Sequence, residues 1–445
     1  MKRPLRRTAA VLVPALTAGF LSLATPTAHS APVTPIPSPS AQAAAQWLSG
    51  QLTNGLIHNN GYGGFDDYGL TIDTGLALQA IGTQPASLAA ITNAIATHIG
   101  DYTGNGTTDV YAGATGKAAV LAQKVGANPA SFGGRNLISQ LEGTVASAAP
   151  IAGRTVDVGG YGDYANGLGQ SWAVLALDRA GSSKAAAATN FLLLQQCSEG
   201  YFRQNFTADK AATDQTCDGG KATSSSNPSV DTTALAVITL SEHSQTPAVT
   251  SALARAKAWL AANQAADGSW GGGSGTSTAN SNSTGLATRA LAGTNNAKRG
   301  ISWLTARQAK STDGSLASEA GAVAYDDAAL ALGRTSGIAD DTARDQWRRA
   351  TAQASLGLIA NTPPNVTVRS AVVKPRKRIV VRSTGFVARE KVVVRYKGKV
   401  VKRGKANRAG VFKARFRSGK RVGTFRVAVI GKRTGATTFT VQVKR

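Results

Sequence analysis

Gln264-Ala265-Ala266-Asp267-Gly268-Ser269-Trp270 is the stretch on which the fold of this chain turns. Before it lies an amphipathic segment, residues 252–263 (ALARAKAWLAAN). After it, past a Gly/Ser/Asn-rich loop, comes a segment of small and apolar residues, 283–292 (STGLATRALA). This two-part unit recurs six times. The apolar segments begin near Asp73, Thr115, Gly169, Thr232, Thr284 and Asp327, with successive starts 42, 54, 63, 52 and 43 residues apart. Two helical segments in a period of about fifty residues describe helix pairs that cannot bury their faces alone and must stack on their neighbours.

The two kinds of segment differ in pattern. Residues 185–196 and 298–308 carry large apolar residues at helical spacing with polar ones between, as an outer helix does. Residues 71–81, 116–125, 171–180, 232–240, 284–292 and 326–333 are apolar nearly all round and rich in Ala and Gly. A helix apolar on every face is buried, and small residues let its neighbours approach. Six buried helices inside six amphipathic ones predict an α/α toroid over 40–361 with a central cavity. Pro363-Pro364 ends the pattern, and beyond it the periodicity switches to two. Short β-branched runs punctuated by Gly predict a small all-β sandwich over 365–445.

Charge divides at the same boundary. Residues 365–445 hold 25 Lys/Arg and one acid, Glu390. Residues 1–30 read as a secretory signal: Lys2, Arg3, Arg6 and Arg7, an apolar run over 9–23, then Ala28-His29-Ser30. Residues 31–39 form a Pro-rich linker. No later run is long and apolar enough for a transmembrane helix. The expected location is therefore extracellular or cell-wall associated. The expected partner of 365–445 is an anionic cell-envelope polymer rather than a specific nucleic acid. Cys197 and Cys217 are the only cysteines, and in an exported chain they are expected to form a disulfide.

The Gln264–Trp270 turn resembles the repeat turn of squalene–hopene cyclases and related prenyltransferase/squalene-oxidase repeat proteins. Weaker copies stand at 195–202, 308–316 and 59–65. The resemblance implies the α6/α6 toroid, with Gln264, Gly268 and Trp270 in structural roles. It does not fix an activity, because one toroid serves many functions. The sequence Ala409-Gly410-Val411-Phe412 resembles a turn of bacterial Ig-like modules.

Terpene cyclases of the protonating class carry Asp-x-Asp-Asp-Thr-Ala at the start of an inner helix. Here Ser229-Val230-Asp231-Thr232-Thr233-Ala234 occupies that place, with Asp231 at the central acid and Ser229 and Thr232 where carboxylates would stand. Asp231 is thus the candidate acid. Asp73, Asp231 and Asp326 or Asp327 are expected together at one cavity mouth, each beginning an inner helix. Helix capping is the competing role for all of them. His58, His98 and His243 show no ligand spacing, so neither a metal nor a cofactor is expected. The reading is a secreted protein whose toroid binds an unidentified ligand or envelope polymer. The alternatives are a terpene cyclase-like or prenyltransferase-like enzyme using Asp231, or a glycosidase with paired carboxylates.

Overall fold

The computed structural model describes residues 37–445 except 223–225, 360–364, 369–371, 385, 387, 388, 408, 409 and 432–434. The signal segment and most of the Pro-rich linker lie outside the described residues. In chain order the helices are α1 (Pro39–Ser49), α2 (Tyr68–Ile81), α3 (Pro85–Thr97), α4 (Ile99–Thr103), α5 (Ala112–Val125), α6 (Leu137–Thr144) and α7 (Gly167–Arg179). They continue with α8 (Ala185–Leu194), α9 (Val230–Ser241), α10 (Pro247–Ala262), α11 (Ser281–Ala290), α12 (Asn295–Ala306), α13 (Asp327–Ser336) and α14 (Asp341–Leu358). None of the described helices is long and apolar enough to cross a membrane.

Helices α2, α5, α7, α9, α11 and α14 each pack on the next, and α14 packs on α2, so the ring closes. Outside it, α3, α6, α8, α10 and α12 back α2, α5, α7, α9 and α11, and α1 lies against both α14 and α2. The architecture is the α/α toroid. Small residues make the close contacts possible. A β-carbon at Gly285 of α11 would lie 2.7 Å from the Cα of Ala354 on α14, so only glycine allows this approach.

The sixth inner helix is not the expected one. Residues 326–333 fall on α13, which packs on the 3₁₀ turn at Gly314–Glu319 and buries only Leu330 and Gly333. The ring position belongs to α14. Its charged start, Asp340, Asp341, Arg344, Asp345, Arg348 and Arg349, gives it the look of a surface helix. Its second half, Ala350 to Leu358, is the small-residue run that an inner helix needs, and most of it is buried.

Five outer helices, α1, α6, α8, α10 and α12, are followed by a turn whose glycine meets the backbone of the next outer helix. Gln264 donates its amide to the Gly268 carbonyl at 2.9 Å and to Asn296 of α12 at 3.0 Å. Gly268, at φ +99°, lies against Arg299. Trp270 is buried and donates its indole N–H to the Leu260 carbonyl at 2.8 Å. Gln196 repeats the pattern with Gly200 and Ala252 of α10. Gln308 repeats it with Gly321 and with Ser40 of α1, which joins the last unit to the first. The Thr312-Asp313-Gly314 turn is therefore an insertion, and Gly321 holds the structural position. Gly55, not the glycines of 59–65, meets α3 at Ala90.

Strands β1 (Leu52–Thr53), β2 (Leu56–Asn59) and β3 (Phe65–Asp66) form a small sheet at the α1–α2 connection. After the toroid come β4 (Asn365–Val368), β5 (Val372–Val373), β6 (Arg378–Thr384) and β7 (Lys391–Tyr396). They are followed by β8 (Lys399–Lys405), β9 (Phe412–Arg417), β10 (Gly423–Gly431) and β11 (Gly435–Val443). They make a five-stranded sheet, β5-β11-β10-β7-β8, and a three-stranded sheet, β4-β6-β9. A separate core containing Ile379, Val381, Phe386, Val394, Phe412 and Val441 unites them. Strand β8 is charged along most of its length, which hides it from a search for β-branched alternation.

Candidate functional site

A hydroxyl or amide in each of five inner helices, in the first turn of four and midway along α14, receives a backbone N–H from the preceding turn. The pairs are Ile57 to Thr71 at 2.9 Å, Phe202 to Thr233 at 2.9 Å, Trp270 to Thr284 at 3.0 Å and Val323 to Thr351 at 2.8 Å. In α7 the Gln170 amide oxygen takes the Thr155 N–H at 2.8 Å. These bonds set the inner helices in register. Two residues further along each helix, and at the matching place in α5, stand Asp73, Lys117, Trp172, Leu235, Leu286 and Gln353, all lining one central cavity of about 300 Å³. A turn deeper come Leu76, Leu175, Ile238, Arg289 and Leu356.

Asp231 also lines this cavity, but two residues before its helix's register threonine. It stands four residues, about 6 Å of helix rise, above the layer that holds Asp73. The two acids share a cavity without sharing a position. Capping of α9 falls to Ser229, whose hydroxyl accepts the Thr232 N–H at 3.2 Å and donates to the Thr232 hydroxyl at 3.0 Å. Asp231 is therefore free of the capping role. Its Oδ1 is buried and has no hydrogen-bond partner among the described residues. Burial pushes the carboxyl above the usual range, and the adjacent Ser283 hydroxyl, itself without a well-formed hydrogen bond, offsets only part of this. The carboxyl is biased toward its neutral form.

The other cavity acids are held by cations. Asp73 pairs with Lys117 at 2.7 Å, and Lys117 also donates to the Gly69 carbonyl at 3.0 Å. Burial opposes the charge on Lys117, but Asp73, with Tyr102 and Asp67, outweighs it and raises the ammonium pKa. At the far end Glu242 binds Lys124 at 2.7 Å and Arg179 at 2.9 Å. Arg289 lines the cavity without an ion pair among the described residues.

Asp326 and Asp327 do not line the cavity. Asp326 caps α13 by accepting the Ala329 N–H at 2.8 Å. Asp327 is exposed and bound to Arg307. Both follow from α13 lying outside the ring. Tyr325 stands close enough to Asp231 for that charge, after burial and Asp326, to help raise its phenol pKa.

Cys197 and Cys217 are disulfide-bonded. The bridged loop leads into α9 and is packed around Arg203, which is fully buried. Arg203 donates to Gln195 Oε1 at 2.8 Å, the Gln215 carbonyl at 2.9 Å and the Thr207 hydroxyl at 3.1 Å. Burial lowers its guanidinium to about 10. Cys197, Glu199 and Asp218 cluster here at ligand distance. The cysteine is tied into the disulfide, and Lys221 bridges both carboxylates at the protein surface.

No protein-family model matches the chain, and no curated protein matches it. Solved structures do. The type II terpene cyclase MstE from Scytonema is 16% identical with a TM-score of 0.49, over 72% of this chain and 96% of that one. A protein from Actinoplanes is 18% identical with a TM-score of 0.44, over 60% and 80%. The ent-copalyl diphosphate synthase from Streptomyces platensis is 17% identical with a TM-score of 0.40, over 65% and 50%. Similarity of this extent transfers neither an activity nor a residue's role.

Proposed function

We propose that the toroid is a chamber for an apolar polyene and that Asp231 protonates it, in the manner of a terpene cyclase-like isomerase. One observation carries this: a buried carboxyl oxygen with no hydrogen-bond partner among the described residues, at a cavity whose exposed wall is mainly apolar. A neutral carboxyl there presents its proton to whatever fills the cavity. Transfer to an alkene carbon breaks the O–H bond, forms a C–H bond and leaves a carbocation. A second double bond of the same chain closes a ring on that cation, and loss of a proton to water restores an alkene. Solvent at the mouth reprotonates Asp231. Trp172 supplies a π face toward the cation, and the leucines exclude water.

The test is incubation with farnesol and geranylgeraniol, with products analysed by gas chromatography and mass spectrometry. Cyclic products that vanish in Asp231→Asn support the reading. Products unchanged in that variant, or no products from either alcohol, refute it.

A second reading, a carrier that binds without turnover, is favoured by Ser229 and Thr232. Their hydroxyls are bonded to each other where further carboxyls would strengthen the acid. A glycosidase lacks support, because Asp73 and Glu242 are both neutralised by lysines.

The remaining part of the proposal concerns location. The chain is secreted, and residues 365–445, with 25 basic residues and one acid, hold it to an anionic envelope polymer. Deleting that segment should move the protein from the wall fraction to the medium. Retention of the truncated protein on the wall would sink the tether.

A further inference from the structure

Both sheets of the β domain carry exposed basic residues, and on the three-stranded sheet most of them are arginines facing one another across neighbouring strands. On the three-stranded sheet the buried residues of β6 and β9 alternate with exposed ones. The exposed set is Arg378 and Arg382 on β6, and Lys413, Arg415 and Arg417 on β9. The register places Arg378 opposite Arg417 and Arg382 opposite Lys413. Like charges directly opposite on one face repel and weaken a sheet. Two such pairs on neighbouring strands are a liability unless an outside anion lies between them.

The end of this face extends the pattern. Ser418 donates its N–H to the Lys377 carbonyl at 2.8 Å and its hydroxyl to the Lys374 carbonyl at 2.9 Å. These bonds stitch the loop carrying Lys374, Arg376 and Lys377 to the one carrying Lys420 and Arg421. No ion pair among the described residues engages any of these side chains. The only acid of the segment, Glu390, is buried.

The geometry points to this face as a binding site for a linear phosphodiester polymer without bases, a poly(polyol phosphate) of the cell envelope. The inference rests on the tether reading above and names its surface and its ligand. Three arguments fix the chemistry. Charges two residues apart on a strand repeat at about 6.8 Å, close to the reach of the six bonds between successive phosphorus atoms in an extended glycerol phosphate chain. Guanidinium forks on four of the five positions suit phosphate oxygens. The face also carries no aromatic side chain: Phe412 and Phe416 point into the core. Proteins that hold single-stranded nucleic acid stack its bases on exposed aromatics, and those that sit on lipid bring aromatic anchors. This face offers neither.

The test uses the full chain and, as probes, poly(glycerol phosphate), a thymidine oligonucleotide of equal charge and phosphatidylglycerol vesicles. One variant neutralises the face: R378Q, R382Q, K413Q, R415Q and R417Q. A control removes five charges from the other sheet: K391Q, R395Q, K399Q, R403Q and K405Q. The expected result is tight polymer binding, lost at least tenfold in the face variant and less than threefold in the control. The log–log salt slope should fall by about four in the face variant. A milder pair, R382Q with K413Q, should lower the slope by about 1.5 and covers the case in which five substitutions unfold the domain. Equal losses in face variant and control overturn the site and leave the tether standing. Absence of polymer binding by the unaltered chain overturns both. Oligonucleotide or vesicles held more tightly than the polymer overturn the ligand assignment.

Discussion

Gln308, at the end of the last outer helix, donates its side-chain amide to the backbone carbonyl of Ser40 in the first, at 2.8 Å across 268 residues of sequence. The bond is the one Gln264 makes to Asn296 between consecutive units. Beside it, Gly321 at φ +109° meets the Ala43 carbonyl, as Gly268 meets Arg299. The ring is sealed by the contact that joins its units.

Gly321→Ala should therefore loosen the closure. A side chain there is strained by φ and collides with α1, so a loss of about 2–4 kcal/mol is expected. Gly275→Ala, at φ +82° with open space around it, should cost about 1 kcal/mol. Urea unfolding of both variants checks this, and similar losses would refute a special role for Gly321.

Asp231→Asn should not weaken the protein. Asp231 makes no capping bond, and its carboxyl is raised by burial. The folded state then holds its proton to higher pH than the unfolded state does. Stability from this group is fully present below the ordinary aspartate value and falls as pH rises through the raised one. The variant should thus be no more stable than the parent at pH 3 and more stable at pH 7. Thermal unfolding at the two values reads this directly; destabilisation at pH 7 would contradict it.

The Asp73–Lys117 pair gives the opposite expectation. Lys117→Met leaves a carboxylate without its cation in the ring, at a cost of about 3 kcal/mol. Adding Asp73→Asn should recover more than half of that. A double variant no better than the single one would show that the pair is not coupled.

Reducing the disulfide should cost about 3 kcal/mol for a loop of this length. Because the loop leads into α9, reduction should also change ligand access at Asp231. Trp172 lines the cavity, so quenching of its fluorescence by farnesol can be followed with and without reductant. Identical titrations would separate the loop from the site.

The toroid is legible in the sequence because burial repeats. Five of the six small-residue stretches are inner helices, and with the Gln264–Trp270 turn they require stacked helix pairs, whatever fills the ring. The sixth inner helix escapes the pattern for an equally physical reason. Helix α14 begins seven residues ahead of the others, counted from its register hydroxyl Thr351, so its first two turns project past the ring and carry charge. The run from Ala350 to Gly357 is the signal that could have found it. With α14 in place, Asp326 and Asp327 leave the cavity mouth. The layer offset between Asp73 and Asp231 is beyond the reach of sequence, because it depends on which hydroxyl each preceding turn bonds. Arg289 gives no signal either: an arginine in an apolar stretch reads as a surface residue until the ring closes around it.

The seal between Gln308 and Ser40 also dictates an order of events in synthesis. Helix α1 buries Ala41, Ala44, Ala45 and Leu48, and of its two partners, α2 and α14, the second emerges from the ribosome only after almost all of the toroid has been made. Until then the first helix has no finished wall to rest on. Long-range closure of this kind is slow and leaves apolar surface exposed in the interim. A growing chain that cannot yet complete its ring therefore carries its first helix without half of that helix's packing surface until α14 is made.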